Sequence, residues 1–225
     1  MLLLLHGALG SAEQLMPLAQ LLPQSLQANV IEFPGHGNTP SEGNFSIDLF
    51  ANYLLQQLDA QNISQTNIFG YSMGGYVALR LAQLHPTRIN RVFTLGTKIF
   101  WTAEGATNET KLLNADKIAQ KLPAFANMLH ARHRQLNWQL VMQQTANLML
   151  DLGNNNLLTD AVLQNIPHTI RLGVGDRDNM IGIAETERAY RLLPNAQLMV
   201  LPNTHHPFEK LHLPQLSNYL VDFFD

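Results

Sequence analysis

Three short stretches of this sequence hold side chains that could together open a carbonyl bond: Gly70-Tyr71-Ser72-Met73-Gly74-Gly75, Gly175-Asp176-Arg177-Asp178 and Asn203-Thr204-His205-His206-Pro207. A serine hydroxyl is a weak nucleophile until a histidine takes its proton, and that imidazole needs a carboxylate to fix its tautomer. Spacing alone leaves two acids, Asp176 and Asp178, and two bases, His205 and His206. His206 precedes Pro207, which biases its backbone toward an extended form and helps fix where its ring points. No Asp or Glu follows the strand predicted over 91–95, so no rival acid arises there.

Gly-x-Ser-x-Gly by itself is weak, since it turns up by chance in roughly one chain of this length in ten. Its weight comes from the elements beside it. A β-like run over 66–69 leads into the motif and a helix-like run over 76–84 leaves it, the strand-turn-helix setting of a nucleophile elbow. The serine in such a turn is held in a strained backbone conformation. Gly70 and Gly74 leave room for it, and Gly75 lets the helix lie close to the strands.

The remaining chain supplies the scaffold. Residues 2–5 are apolar without interruption, as in an interior strand of a parallel sheet, and they run into the glycine-rich loop His6-Gly7-Ala8-Leu9-Gly10-Ser11. A helix is predicted over 12–22, a strand over 29–33, the turn Pro34-Gly35-His36-Gly37, and a helix capped by Ser46 and running to about 60. After 91–95 the alternation breaks. Residues 99–155 show only helical patterns, over 109–120, 124–133 and 138–150, closed by Gly153-Asn154-Asn155-Asn156. Alternation then resumes with helices over 157–164, 183–193 and 214–224 and strands over 169–174 and 197–201. The expected organisation is an α/β core from 1–98 and 156–225, with 99–155 as a helical lid.

Composition narrows the function. The 225 residues are 46% hydrophobic, enough for one well-buried core, and a formal charge of −3 without long runs of one sign gives no electrostatic case for nucleic acid or an anionic membrane. The absence of cysteine excludes a disulfide framework, a thiolate nucleophile and a zinc-thiolate site. The opening apolar run is too short for a signal peptide and lacks a basic leader, so a cytoplasmic location is expected. His130 and His133 share a helix face at metal-ligand spacing, yet no third ligand accompanies them, and neither a metal nor any other cofactor is expected.

On the motifs His6-Gly7, Gly35-His36-Gly37, Gly70-Tyr71-Ser72-Met73-Gly74-Gly75 and Gly175-Asp176-Arg177-Asp178, the chain resembles the α/β-hydrolases over nearly its whole length outside 99–155. The resemblance implies a mainly parallel sheet of about six strands with helices on both faces, without the two strands that usually begin the family's sheet. It implies Ser72 as nucleophile, Asp178 as acid, His206 as base and the N–H groups of Ala8 and Met73 as the oxyanion hole. The expected activity is hydrolysis of a small or medium carboxylic ester or thioester through an acyl-enzyme. Candidate pocket residues are His6, Leu9, Tyr71, Lys98, Trp101 and Trp138. His130, Arg132, His133 and Arg134 could hold a substrate carboxylate or form a solvated helix face. The first three motifs also resemble the menaquinone-pathway lyase that makes a succinyl-hydroxycyclohexadiene carboxylate, where an arginine follows the glycine pair that Gly74-Gly75 matches; Tyr76 stands here instead. A non-catalytic, ligand-binding use of the fold is the remaining alternative.

Overall fold

A computed structural model of the chain describes residues 1–41 and 43–225. In chain order the elements are β1 (Leu2–Leu5), α1 (Ala12–Leu21), β2 (Ala28–Ile31), α2 (Ile47–Ala60), β3 (Thr66–Tyr71), α3 (Met73–Leu84), β4 (Ile89–Leu95), α4 (Ala103–Thr110), α5 (Ala115–Lys121), α6 (Pro123–Arg132), α7 (Trp138–Asn154), α8 (Asp160–Gln164), β5 (Thr169–Gly175), α9 (Ile183–Leu192), β6 (Ala196–Leu201) and α10 (Leu213–Phe224). The strands form one sheet in the order β2-β1-β3-β4-β5-β6, and every pair is parallel.

Strand β1 shows why the sheet is covered on both faces. Leu2 and Leu4 point into an apolar layer with Leu15 and Leu18 of α1 and Leu216, Leu220 and Phe223 of α10. Leu3 and Leu5 point the other way, toward Phe50 and Leu54 of α2 and Val77 and Leu81 of α3. All four leucines are buried, and each contributes on the order of 1.5–3 kcal/mol relative to exposure. A continuous apolar strand between two helical layers is the expected consequence of parallel pairing.

The register lines up the strand ends that matter. Leu5 pairs with Gly70, Tyr71 with Leu95, Leu95 with Gly173, and Gly175 with Leu201. The loops after β1, β3, β4, β5 and β6 therefore emerge along one edge. The chain turns outward to β2 from one side of β1 and to β3 on the other, so the loops after β1 and β3 flank the point where strand order reverses. That crevice is where ligands bind in open parallel sheets.

Several boundaries differ from the sequence reading. The helix expected over 109–120 falls on the end of one helix and on a second: α4 stops at Thr110, and Asn114 starts α5 by accepting from the Lys117 N–H. Strand β2 stops at Ile31, which leaves Phe33 to a loop in which its N–H bonds His6. β3 extends two residues further and α3 begins at Met73, because the elbow is a single residue wide. Helix α7 passes through Gly153 to Asn154. A side chain at Gly153 would come within 2.5 Å of Ala106 Cβ, so this glycine permits the α4–α7 approach and does not end the helix. The helix expected from 157 starts at Asp160, where Thr159 caps it.

Candidate active site

Ser72 sits between β3 and α3 with φ 53° and ψ −117°, in the left-handed half of the map that a non-glycine residue rarely visits. Such a conformation costs on the order of 1–3 kcal/mol and persists only where its surroundings dictate it. Here the Ser72 N–H donates to the Leu95 carbonyl (2.8 Å), and the Ser72 carbonyl accepts from the Gly75 N–H and the Thr97 hydroxyl (both 3.0 Å). A side chain on Gly70 would fall 2.5 Å from the backbone of Gly74, and one on Gly74 would fall 2.6 Å from the Leu5 carbonyl oxygen. Both obstacles are backbone, which cannot step aside.

His206 and Asp178 come together from the loops after β6 and β5. The ring Nδ1–H of His206 donates to Asp178 Oδ2 at 2.8 Å, while Asp178 Oδ1 accepts from the N–H groups of Met180 (2.9 Å) and Ile181 (2.8 Å). An ionised carboxylate can only accept, so this bond places the ring proton on Nδ1 and leaves Nε2 with its lone pair. The Asp178 side chain is 2% exposed. Burial would raise its pKa, but the bond to His206, the charge there and the two N–H groups outweigh burial and hold it below the ordinary carboxylate value.

The competitors are placed elsewhere. Asp176 accepts from the Thr204 N–H (3.1 Å) and closes the turn between the two loops, and its carboxyl is held below its usual range by the backbone of Asn203 and Thr204. His205 is exposed. Two residues that the sequence reading overlooked complete the neighbourhood. Gly96, at φ 62° after β4, packs so closely that a side chain would meet Asp178 Oδ2 at 3.1 Å and His206 at 3.3 Å. Thr97 anchors the elbow as described. A glycine directly after an apolar strand was the available signal for the first; nothing in the sequence pointed to the second.

A narrow cleft opens at Ser72, lined by Ala8, Ile47, Met73, Tyr76, Lys98, Trp101, Thr145, Leu148, Met149 and Leu152. It offers only ≈ 40 Å³ to the centre of a water-sized sphere, room for a few waters at roughly 10–15 Å³ each. Met73 is the first residue of α3, so its N–H has no acceptor inside the helix and lies at the positive end of the helix dipole. Ala8 faces the same cleft from the loop after β1.

Of the six expected pocket residues, Lys98 and Trp101 line this cleft, with the Lys98 ammonium 5.3 Å from the Trp101 ring centroid and 3.3 Å from Glu109. The other four do not. His6 is buried beneath the loop, donating from Nδ1 to the Gly7 carbonyl (2.8 Å) and accepting at Nε2 from the Phe33 N–H (3.1 Å). Burial, chiefly, pushes its pKa down to about 4. Leu9 and Trp138 are packed in the apolar layer, and the Tyr71 hydroxyl is turned away to donate to the His206 carbonyl at 2.7 Å. Sequence reasoning missed Ile47, Tyr76, Thr145, Leu148, Met149 and Leu152, because it could not orient α2, α3 and α7 against the elbow. The Tyr76 hydroxyl donates to Asn156 Oδ1 (2.7 Å) and accepts from the N–H groups of Leu157 and Leu158, which ties α3 to the chain returning from α7.

Comparison with known proteins agrees with this architecture. A family model described as alpha/beta hydrolase fold matches residues 1–209. A pimeloyl-[acyl-carrier protein] methyl ester esterase of Neisseria meningitidis serogroup C is 26% identical over 243 aligned positions, covering 99% of this chain and 92% of that protein. A second protein of that name, from Aromatoleum aromaticum, is 34% identical over 96 residues, 43% of this chain and 36% of its own length. Among solved structures, a putative lipase from Acinetobacter baumannii superposes with a TM-score of 0.79 at 21% identity, covering 99% of this chain and 82% of that one, a likeness of fold.

Proposed function

Because this chain belongs to the alpha/beta hydrolase fold family, we propose that it is a serine hydrolase that cleaves a small or medium carboxylic ester or thioester through an acyl-enzyme. The observation that carries the reading is the buried His206–Asp178 pair, held at 2.8 Å on the same sheet edge as the strained Ser72 elbow. Ser72 Oγ attacks the acyl carbon while His206 Nε2 takes its proton, and Asp178 holds the imidazolium that forms. The N–H groups of Ala8 and Met73 stabilise the oxyanion; removing one such donor typically costs about 10² to 10³ in rate. His206 returns the proton to the leaving alcohol or thiol, and water then releases the acyl group by the same steps. Similarity over nearly the whole length to the Neisseria meningitidis protein named as a methyl ester esterase supports this chemistry over other uses of the fold.

The cleft argues for a short acyl group. Ile47, Trp101, Leu148, Met149 and Leu152 make its wall apolar, and its small volume accepts longer chains only if α7 yields. We read residues 99–155 as the lid that sets this limit. The lyase alternative finds less support, since Tyr76 occupies the arginine position, Arg132 and Lys98 are already engaged by Glu209 and Glu109, and Arg134 is an exposed surface residue.

The test is hydrolysis of p-nitrophenyl esters from acetate to dodecanoate by wild type and Ser72→Ala. A loss of at least about 10⁴-fold in kcat is expected, with the best wild-type substrate at four carbons or fewer. Equal rates for the two proteins would remove serine catalysis, and failure of a fluorophosphonate to label Ser72 would favour a binding role.

A further inference from the structure

One side chain from the helical segment touches both loops of the proposed reaction. Arg132, the last residue of α6, donates from Nη1 to the Leu9 carbonyl (2.9 Å) and from Nη2 to Glu209 Oε1 (2.7 Å). Leu9 directly follows Ala8, and Glu209 comes three residues after His206. Leu9 holds φ 57°, a left-handed conformation that costs a leucine on the order of 1–2 kcal/mol, so contacts outside the loop must maintain it. His133 reinforces the first contact, donating from Nε2 to the same Leu9 carbonyl (3.2 Å) while Nδ1 accepts from the Gly37 N–H (2.9 Å). Gln14 reinforces the second by donating to Glu209 Oε1 at 2.8 Å.

We propose that Arg132 is a positioning residue for the serine reaction: its planar guanidinium locks the loop bearing the Ala8 N–H to the loop bearing His206, so that oxyanion donor and base keep one relative geometry. The proposal rests on the serine-hydrolase reading above. The Arg132 side chain is 13% exposed, which limits screening of its contacts by solvent. A forked donor with fixed planar spacing serves two acceptors in one set geometry; the ammonium of lysine, a compact group on a flexible stem, imposes no such spacing. Misplacement of catalytic groups by about 1 Å can cost on the order of 10² in rate. The same engagement removes Arg132 from the candidates for binding a substrate carboxylate.

Arg132→Met, which keeps the apolar stem and loses the donors, separates these ideas. For p-nitrophenyl acetate kcat is expected to fall roughly 10- to 100-fold with KM within about threefold. Amide hydrogen exchange is expected to quicken in peptides spanning 6–14 and 203–212 and to stay at wild-type rates over 169–175. Arg132→Lys is expected to recover only part of the loss. A kcat within twofold of wild type, or a change confined to KM, overturns the proposal. Exchange needs no turnover, so the two readings fail separately: Ser72→Ala without effect removes the hydrolase reading, whereas unchanged exchange in both loops removes the clamp. Should Arg132→Met not fold, Glu209→Gln, which weakens the charged bond while keeping the side chain's shape, takes its place with the same readouts.

Discussion

The serine elbow and the helical segment between β4 and β5 meet at the same cleft but are built on opposite terms. Around Ser72 the constraints are backbone against backbone, with Gly70, Gly74 and Gly75 each filling a space where any Cβ would collide with main chain or with Thr97. The helical segment contributes Trp101 and, from α7, Thr145, Leu148, Met149 and Leu152 to the cleft, and reaches the loops through the side chains of Arg132 and His133. A main-chain constraint tolerates almost no substitution, whereas side-chain contacts can be exchanged while the chemistry stays. On the proposed serine-hydrolase reading, the core side fixes the reaction and the helical side adjusts what reacts and how well.

If that division holds, the largest effect must come from the core. Asp178→Asn removes the acceptor that sets the His206 tautomer and is expected to lower kcat by about 10⁴. Asp176→Asn, which only loosens the turn at Thr204, should leave kcat within a few-fold; comparable losses in ester hydrolysis by the two variants would break the assignment.

Acid should act next, through the buried histidines under the loop after β1. His6 has its pKa pushed from 6.5 to about 4, mainly by burial, and its ring stands 5.0 Å from that of His36, itself fully buried. The unfolded chain takes up this proton first as pH falls. Stability from a neutral His6 is therefore complete above pH 6.5 and declines between about 6.5 and 4, by on the order of 3 kcal/mol. Urea unfolding at pH 7, 6 and 5 checks this, and His6→Gln should flatten the slope. An unchanged slope would mean that His6 does not carry the acid sensitivity.

The smallest effect on turnover belongs to the helical side. Leu148→Ala widens the cleft and is expected to favour longer acyl chains by roughly tenfold in kcat/KM, with little loss for p-nitrophenyl acetate. A large loss on the acetate ester would show that α7 shapes the reacting centre itself and would erase the contrast. Unfolding of this variant should report about 2–5 kcal/mol of lost stability, since Leu148 is buried.

Much of the core side was legible from local pattern. The elbow motif, the uniformly apolar β1 and the acid and histidine stretches after β5 and β6 are short-range features, and parallel pairing turns them into one edge of a sheet. The helical segment was harder to read because its boundaries depend on distant partners. Gly153, packed against Ala106 and Thr102 some fifty positions earlier, continues a helix that its composition would end. No membrane-crossing helix is present among the described residues, in keeping with the apolar runs read along the chain.

What the sequence determined by itself is the alternation of strands and helices, the Ser, Asp, His order and the glycines that make the elbow possible. All of these follow from the steric rules of single residues and their immediate neighbours. The resemblance already favours His206 and Asp178 over His205 and Asp176, and the structure joins those two as the buried pair; tertiary structure alone decided that Tyr71 and Tyr76 hold backbone in place and that Arg132 reaches both Leu9 and Glu209. Those choices depend on where side chains 28 to 135 positions apart meet, and that proximity is set by packing of the sheet and helices, which no local pattern encodes.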